Sequence, residues 1–126
     1  MALAAGSGSA PAPLSCQITF TGGAGPINVS GASGDMYTQF GYLISVIVSG
    51  GTPPYGGVGT GLSGDSSGKL SFAPASDGLH NTLFWSGFTL NEIEGCYLTY
   101  NATDDAGATA SARYPASGNI VIKRTS

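Results

Sequence analysis

Gly64-Asp65-Ser66-Ser67-Gly68 has the G-x-S-x-G spacing that presents a nucleophilic serine on a tight elbow, and the chain holds one histidine, His80, to serve as its base. Such an elbow needs a strand-to-helix turn with the histidine held against the serine. Here the pentapeptide lies between short β-like runs, and His80 sits in the polar stretch from Asp77 to Asn81 with nothing to fix it near Ser66. The segment therefore reads as a turn, and the chain as a non-enzyme with no catalytic residues. Asp104 and Asp105, joined by Asp35, Asp65 or Asp77 from other loops, are the oxygen ligands available to Ca²⁺. That ion takes six to eight oxygens, whereas the whole chain has seven carboxylate side chains. Turn formation is the preferred reading of the aspartate pair, and no metal or cofactor is expected. The sequons Asn28-Val29-Ser30 and Asn101-Ala102-Thr103 are read as chance occurrences.

Cys16 and Cys96 lie 80 positions apart, each on a β-like run with its apolar face inward. A disulfide between them would close a long loop and stabilise the fold by about 4 kcal/mol through the entropy removed from the unfolded chain. In a reducing compartment the same residues are small buried thiols; the two readings stay open. Tyr37, Phe40, Tyr42 and Tyr55 offer rings for stacking on a sugar, although aromatic residues on strands more often pack against the core or across strands.

Only 9% of the 126 residues are charged, against roughly 25% in an average soluble domain. Lys69, Arg113, Lys123 and Arg124 are the whole basic complement, too few for a phosphate-neutralising stripe, so no nucleic-acid partner is expected. No stretch approaches the ~18–20 apolar residues of a helical membrane span, so no membrane partner is expected either. Gly (21) and Pro (7) fill more than a fifth of the chain, yet the 41% hydrophobic fraction is that of a folded domain.

The elements that must position these groups follow from period-two alternation. Residues 1–13, MALAAGSGSAPAP, carry too little apolar surface to offset ordering entropy and read as a flexible arm before a single domain over residues 14–126. Cys16–Thr21 alternates with Cys16, Ile18 and Phe20 on one face; Tyr42–Ser49 is the strongest run, and Leu43 and Ile47 on its second face suggest a central strand covered on both sides. Gly50–Gly57 is a connection, because two prolines and four glycines do not suit a sheet interior. Lys69–Ala73 and Thr82–Leu90 follow, the second with a bulge expected at Gly87. Cys96–Ala102 and Ala108–Tyr114 form a hairpin about Thr103–Gly107, and Asn119–Lys123 reads as an edge strand. Any helix is limited to a turn within Phe88–Glu94. About seven to eight strands at this spacing predict an antiparallel β-sandwich, with a jelly roll as the alternative.

Two segments together, VIVSGGTPPYGG at 46–57 and CYLTYNATDDAGATASA at 96–112, resemble bacterial and phage immunoglobulin-like modules of the polycystic-kidney-disease type. In those modules a strand ending in SGGTPPY leads into the next strand, and a late V-T-D-x-x-G hairpin closes the sandwich. The likeness extends in layout over residues 15–124. Trp85 stands eleven residues before Cys96 and Glu94 occupies the tyrosine-corner position, so the domain is not of antibody type; Gly57–Asn81 also lacks the aromatic strand that follows the loop in the family. The resemblance implies a virion structural protein: a capsid decoration or cement protein, or a head-fibre or tail component, binding other virion proteins as a homo-oligomer or within a large assembly. The arm residues Ala2, Leu3, Pro11 and Pro13 and the edge residues Ile120 and Ile122 are the expected partner contacts. The alternative is an adhesion or carbohydrate-binding module on a bacterial surface.

Overall fold

The structure, a computed structural model, describes residues 12–126. Ten strands and one helical turn follow in order: β1 Ser15–Phe20, β2 Ile27–Val29, β3 Gly34–Asp35, α1 Met36–Phe40, β4 Ile44–Ser49, β5 Gly56–Ser63, β6 Leu70–Pro74, β7 Asn81–Trp85, β8 Ile93–Thr103, β9 Thr109–Tyr114 and β10 Ile120–Arg124. The all-β sandwich expected from the alternation is the fold. The count exceeds seven to eight because the short β2 and β3 and the glycine-rich β5, which alternation does not mark out, are strands as well.

β8 organises one layer. Its eleven residues, about 36 Å at ~3.3 Å per residue, pair with β5 along one side and with β10 and then β9 along the other. β2 adds beyond β10 in parallel, Ile122 opposite Ile27, in contrast to an all-antiparallel expectation. The opposing layer holds the antiparallel pair β1 and β4, with Ile18 opposite Val46, and the three-stranded sheet β3-β7-β6.

Between the layers lie Ile18, Phe20 and Ile44 from one side and Cys96, Leu98, Ile120 and Ile122 from the other, closed by Met36, Leu70, Leu83, Trp85 and Phe88. Fully burying a side chain of this size contributes about 1.5–3 kcal/mol. The Trp85 indole Nε1–H donates to the Gly31 carbonyl at 3.1 Å, so its polar edge is satisfied inside the core. Gly34 sits flat on that indole: a Cβ there would stand 2.6 Å from the ring, which explains the glycine.

Several expectations are corrected. β10 is an interior strand, not an edge, because β2 covers the side that faces away from β8; Ile120 and Ile122 are wholly buried in the core and not exposed along an edge. β4 is covered on one face only, with Ile47 about half exposed. Gly56–Ser63 is a strand despite its glycines, since Tyr100 from β8 lies where a side chain at Gly57 would be. β7 ends at Trp85, and Gly87 at φ +70° marks its exit and not a bulge. The helical turn falls at Met36–Phe40: Asp35 caps it through Oδ1 accepting the Thr38 amide at 2.6 Å, and Gly41 ends it at φ +73°. The stretch from Phe88 to Glu94 holds a tight turn at Leu90 and Asn91 and then the start of β8.

The two ends of the described chain leave the sandwich at opposite ends of β8. Ala12 accepts the Gly51 amide at 2.7 Å beside the β8–β9 hairpin, whereas Ser126 accepts the Gly31 amide at 2.9 Å near the start of β8.

Candidate functional site

At the hairpin end, three segments converge on one carboxylate. Asp104, buried at the β8–β9 turn, accepts the Thr52 amide through Oδ2 at 2.9 Å and the Ala106 and Ala108 amides through Oδ1 at 3.0 and 2.8 Å. These donors, Thr52 foremost, hold the carboxyl below the usual aspartate range although burial opposes them. The Asp105 amide returns a bond to the Thr52 carbonyl at 2.8 Å. Gly51, at φ +59°, lets its backbone pass so close that a Cβ would stand 2.6 Å from Asp104 Oδ2. The Tyr55 hydroxyl donates to the Gly50 carbonyl at 2.6 Å and closes the loop on itself. The two motifs that carry the family resemblance are thus bonded to each other, and Ala12 and Pro13 lie against Gly50 and Gly51 of the first. Pro13 is exposed there; Ala2, Leu3 and Pro11 lie outside the described residues.

The G-x-S-x-G segment is a closed turn. Asp65 Oδ1 accepts the Ser67 hydroxyl at 2.6 Å and Oδ2 accepts the Leu70 amide at 2.9 Å; burial works against the Asp65 anion, but these bonds outweigh it and lower its pKa. Ser66 and His80 stand in loops at opposite ends of β6. His80 instead pairs through Nδ1 with Asp77 Oδ2 at 2.5 Å and stacks on Tyr37 with ring centroids 4.5 Å apart.

Beside the Asp65 turn, Lys69 Nζ donates to both oxygens of Glu92 at 2.9 and 2.8 Å. Glu92 is held down to about 2, first by a hydrogen bond from the Glu94 carboxyl and next by Lys69, while Glu94 is raised, first by Glu92 and then by burial. Among the described residues, no three His, Cys, Asp or Glu side chains converge as metal ligands.

Cys16 on β1 and Cys96 on β8 are free thiols, and no bridge joins them, in contrast to the disulfide reading. Burial pushes Cys96 up to about 12 and raises Cys16 as well. The aromatic residues do not form one platform. Phe40 stacks on Tyr42 with centroids 5.0 Å apart and Tyr37 on His80, both flanking α1, whereas Tyr55 belongs to the hairpin end.

A feature missed in the sequence is an open cleft of about 520 Å³ on the outer face of β3-β7-β6, lined by Ser33, Gly34, Asp35, Ser71, Ala73, Phe84, Trp85 and Ser86. No short-range pattern could signal it, because cross-strand register alone assembles its lining.

The fold and these sites define an all-β sandwich whose loops are cross-bonded at one end. Comparison with protein-family models, with curated proteins and with solved structures returns no match.

Proposed function

We propose that this chain is a non-enzymatic structural module of a phage virion, a capsid decoration or cement protein or a head-fibre or tail component, that grips neighbouring subunits through its hairpin end. The observation that carries the reading is the junction at Ala12. Ala12, where the described residues begin, accepts the Gly51 amide in a loop that Asp104 ties to the β8–β9 turn through Thr52. An arm anchored on a fixed base loses less freedom on docking than one trailing from a loose loop. The flanking of β8 by β5 and β9 supports the family resemblance, since strands C, F and G of an immunoglobulin-type sandwich lie in that order, whereas the separate β1-β4 and β3-β7-β6 sheets and the parallel β2 depart from it. The charge-poor surface is suited to close packing, since little charge must be desolvated or repelled at a contact.

The test is co-sedimentation of the full chain, and of a variant lacking residues 1–11, with capsids and tails of the phage encoded by the same genome. The full chain is expected to bind and the truncated chain to stay folded and lose most binding. Equal binding by both, or a genome neighbourhood without capsid, portal or tail genes, overturns the reading. Secretion or surface-anchor genes in that neighbourhood favour the adhesion module instead.

A further inference from the structure

The cleft on the outer face of β3-β7-β6 has a chemistry of its own. Register sets Asp35 and Ser71 directly opposite Phe84 on its two neighbouring strands, so one half-buried ring is flanked on both sides by oxygen-bearing side chains. Further along the same face of β7, Thr82 is wholly buried with its hydroxyl donating to the Tyr42 carbonyl, whereas the Phe84 ring is only half-buried. Around the ring the lining is small: Ser33, Gly34, Ala73 and Ser86 leave open space above it. Asp35 spends Oδ1 on the Thr38 amide, and Oδ2 has no hydrogen-bond partner among the described residues. No Lys or Arg lines the cleft, which disfavours a phosphate or a sulfate, and the carboxylate repels an acidic sugar. The volume of about 520 Å³ falls within the ~300–1,000 Å³ of small-ligand sites.

We propose that this cleft is a saccharide subsite that seats one hexopyranose unit of a neutral oligosaccharide on the Phe84 ring, with Asp35 Oδ2 accepting from one hydroxyl. A pyranose ring has one face of C–H groups and a rim of hydroxyls, and it matches an aromatic ring bordered by one acceptor and several serine hydroxyls that both donate and accept. None of these residues belongs to the hairpin end, so the inference stands or falls separately from the assembly reading.

The test exposes the full chain to an array of neutral oligosaccharides built from glucose, galactose, mannose and their N-acetylamino forms, with sialylated and uronic-acid oligosaccharides beside them. The best-retained compound is then titrated into ¹⁵N-labelled protein. Retention of a neutral oligosaccharide is expected, with amide shifts centred on Gly34, Asp35, Ser71 and Ser86. Phe84→Leu, which keeps the apolar volume without the ring, and Asp35→Asn, which keeps the helix cap without the free acceptor, should each weaken binding about tenfold or more. Ser71→Val, which is compatible with a strand and crowds the ring, gives an independent variant if Phe84→Leu unfolds. Tyr55→Ala should leave binding unchanged. Retention of no neutral oligosaccharide, preference for the acidic ones, shifts centred on Tyr37 and Phe40 or on Tyr55, or insensitivity to the folded variants overturns the assignment.

Discussion

The carboxylate of Asp104 accepts the backbone amide of Thr52 at 2.9 Å across 52 positions of sequence, and through this bond the β4–β5 loop and the β8–β9 hairpin become one rigid end. Two further backbone donors, the Ala106 and Ala108 amides, bond the same side chain, so its anion is held below the ordinary range. A carboxyl with a depressed folded-state pKa stabilises the fold above its unfolded value, about 3.9, and loses that contribution as pH falls through the folded value. Asp104→Asn is accordingly expected to lower the thermal midpoint by several degrees at pH 7. The gap from the parent should narrow as the pH drops below about 4. Thermal melts of both proteins between pH 2 and pH 8 check this; a gap that is constant with pH contradicts it.

Gly34 and Gly57 both lie against aromatic side chains, but their neighbours differ in freedom. The Trp85 ring beneath Gly34 is fixed in the core, whereas Tyr100 meets Gly57 with its hydroxyl end. Gly34→Ala should cost about 1–3 kcal/mol by overpacking, and Gly57→Ala less. Tyr100→Phe should restore part of the loss at Gly57, and urea denaturation of the two single variants and the double variant measures both expectations.

Ile122 is wholly buried between β8 and β2. Its truncation to Ala removes core contacts and leaves a cavity, at a cost of about 2–5 kcal/mol. Denaturant unfolding should show the full loss in the isolated chain. Wild-type stability combined with weakened assembly would instead return the residue to a partner surface.

The thiols can be counted directly. In guanidinium without reductant, two cysteines per chain should react with a disulfide reagent. In the folded protein Cys96 should stay unreactive at pH 8, since burial holds its thiol far above that pH, while half-buried Cys16 reacts slowly. A count of zero under denaturing conditions points to a bridge.

What could be read from the sequence was what is local. Ile18 and Phe20 on β1, and the hairpin around Asp104, announce themselves through alternation and turn residues within a few positions. Met36–Phe40 stayed hidden because five residues show no helical period; only its flanks, Asp35 and Gly41, carry the signal. β5 could not be recognised because the aromatic bulk beside it is contributed by Tyr100, some forty residues away. Ile120 and Ile122 looked like an edge because the strand that covers them, β2, has three residues and pairs in parallel from the other end of the chain. The row Asp35, Phe84 and Ser71 exists only through register across three strands.

The placing of Ala12 and Ser126 at opposite ends of β8 has a mechanical consequence. A pull between Ala12 and Ser126 does not peel strands apart one bond at a time. It draws β10 lengthwise past its parallel neighbour β2, so their ladder bonds and the Thr125 amide bond to Val29 at 2.9 Å share the load together. Bonds strained side by side fail together and at higher force than the same bonds opened in turn, so a domain wired this way can carry tension along its long axis between whatever holds its two ends.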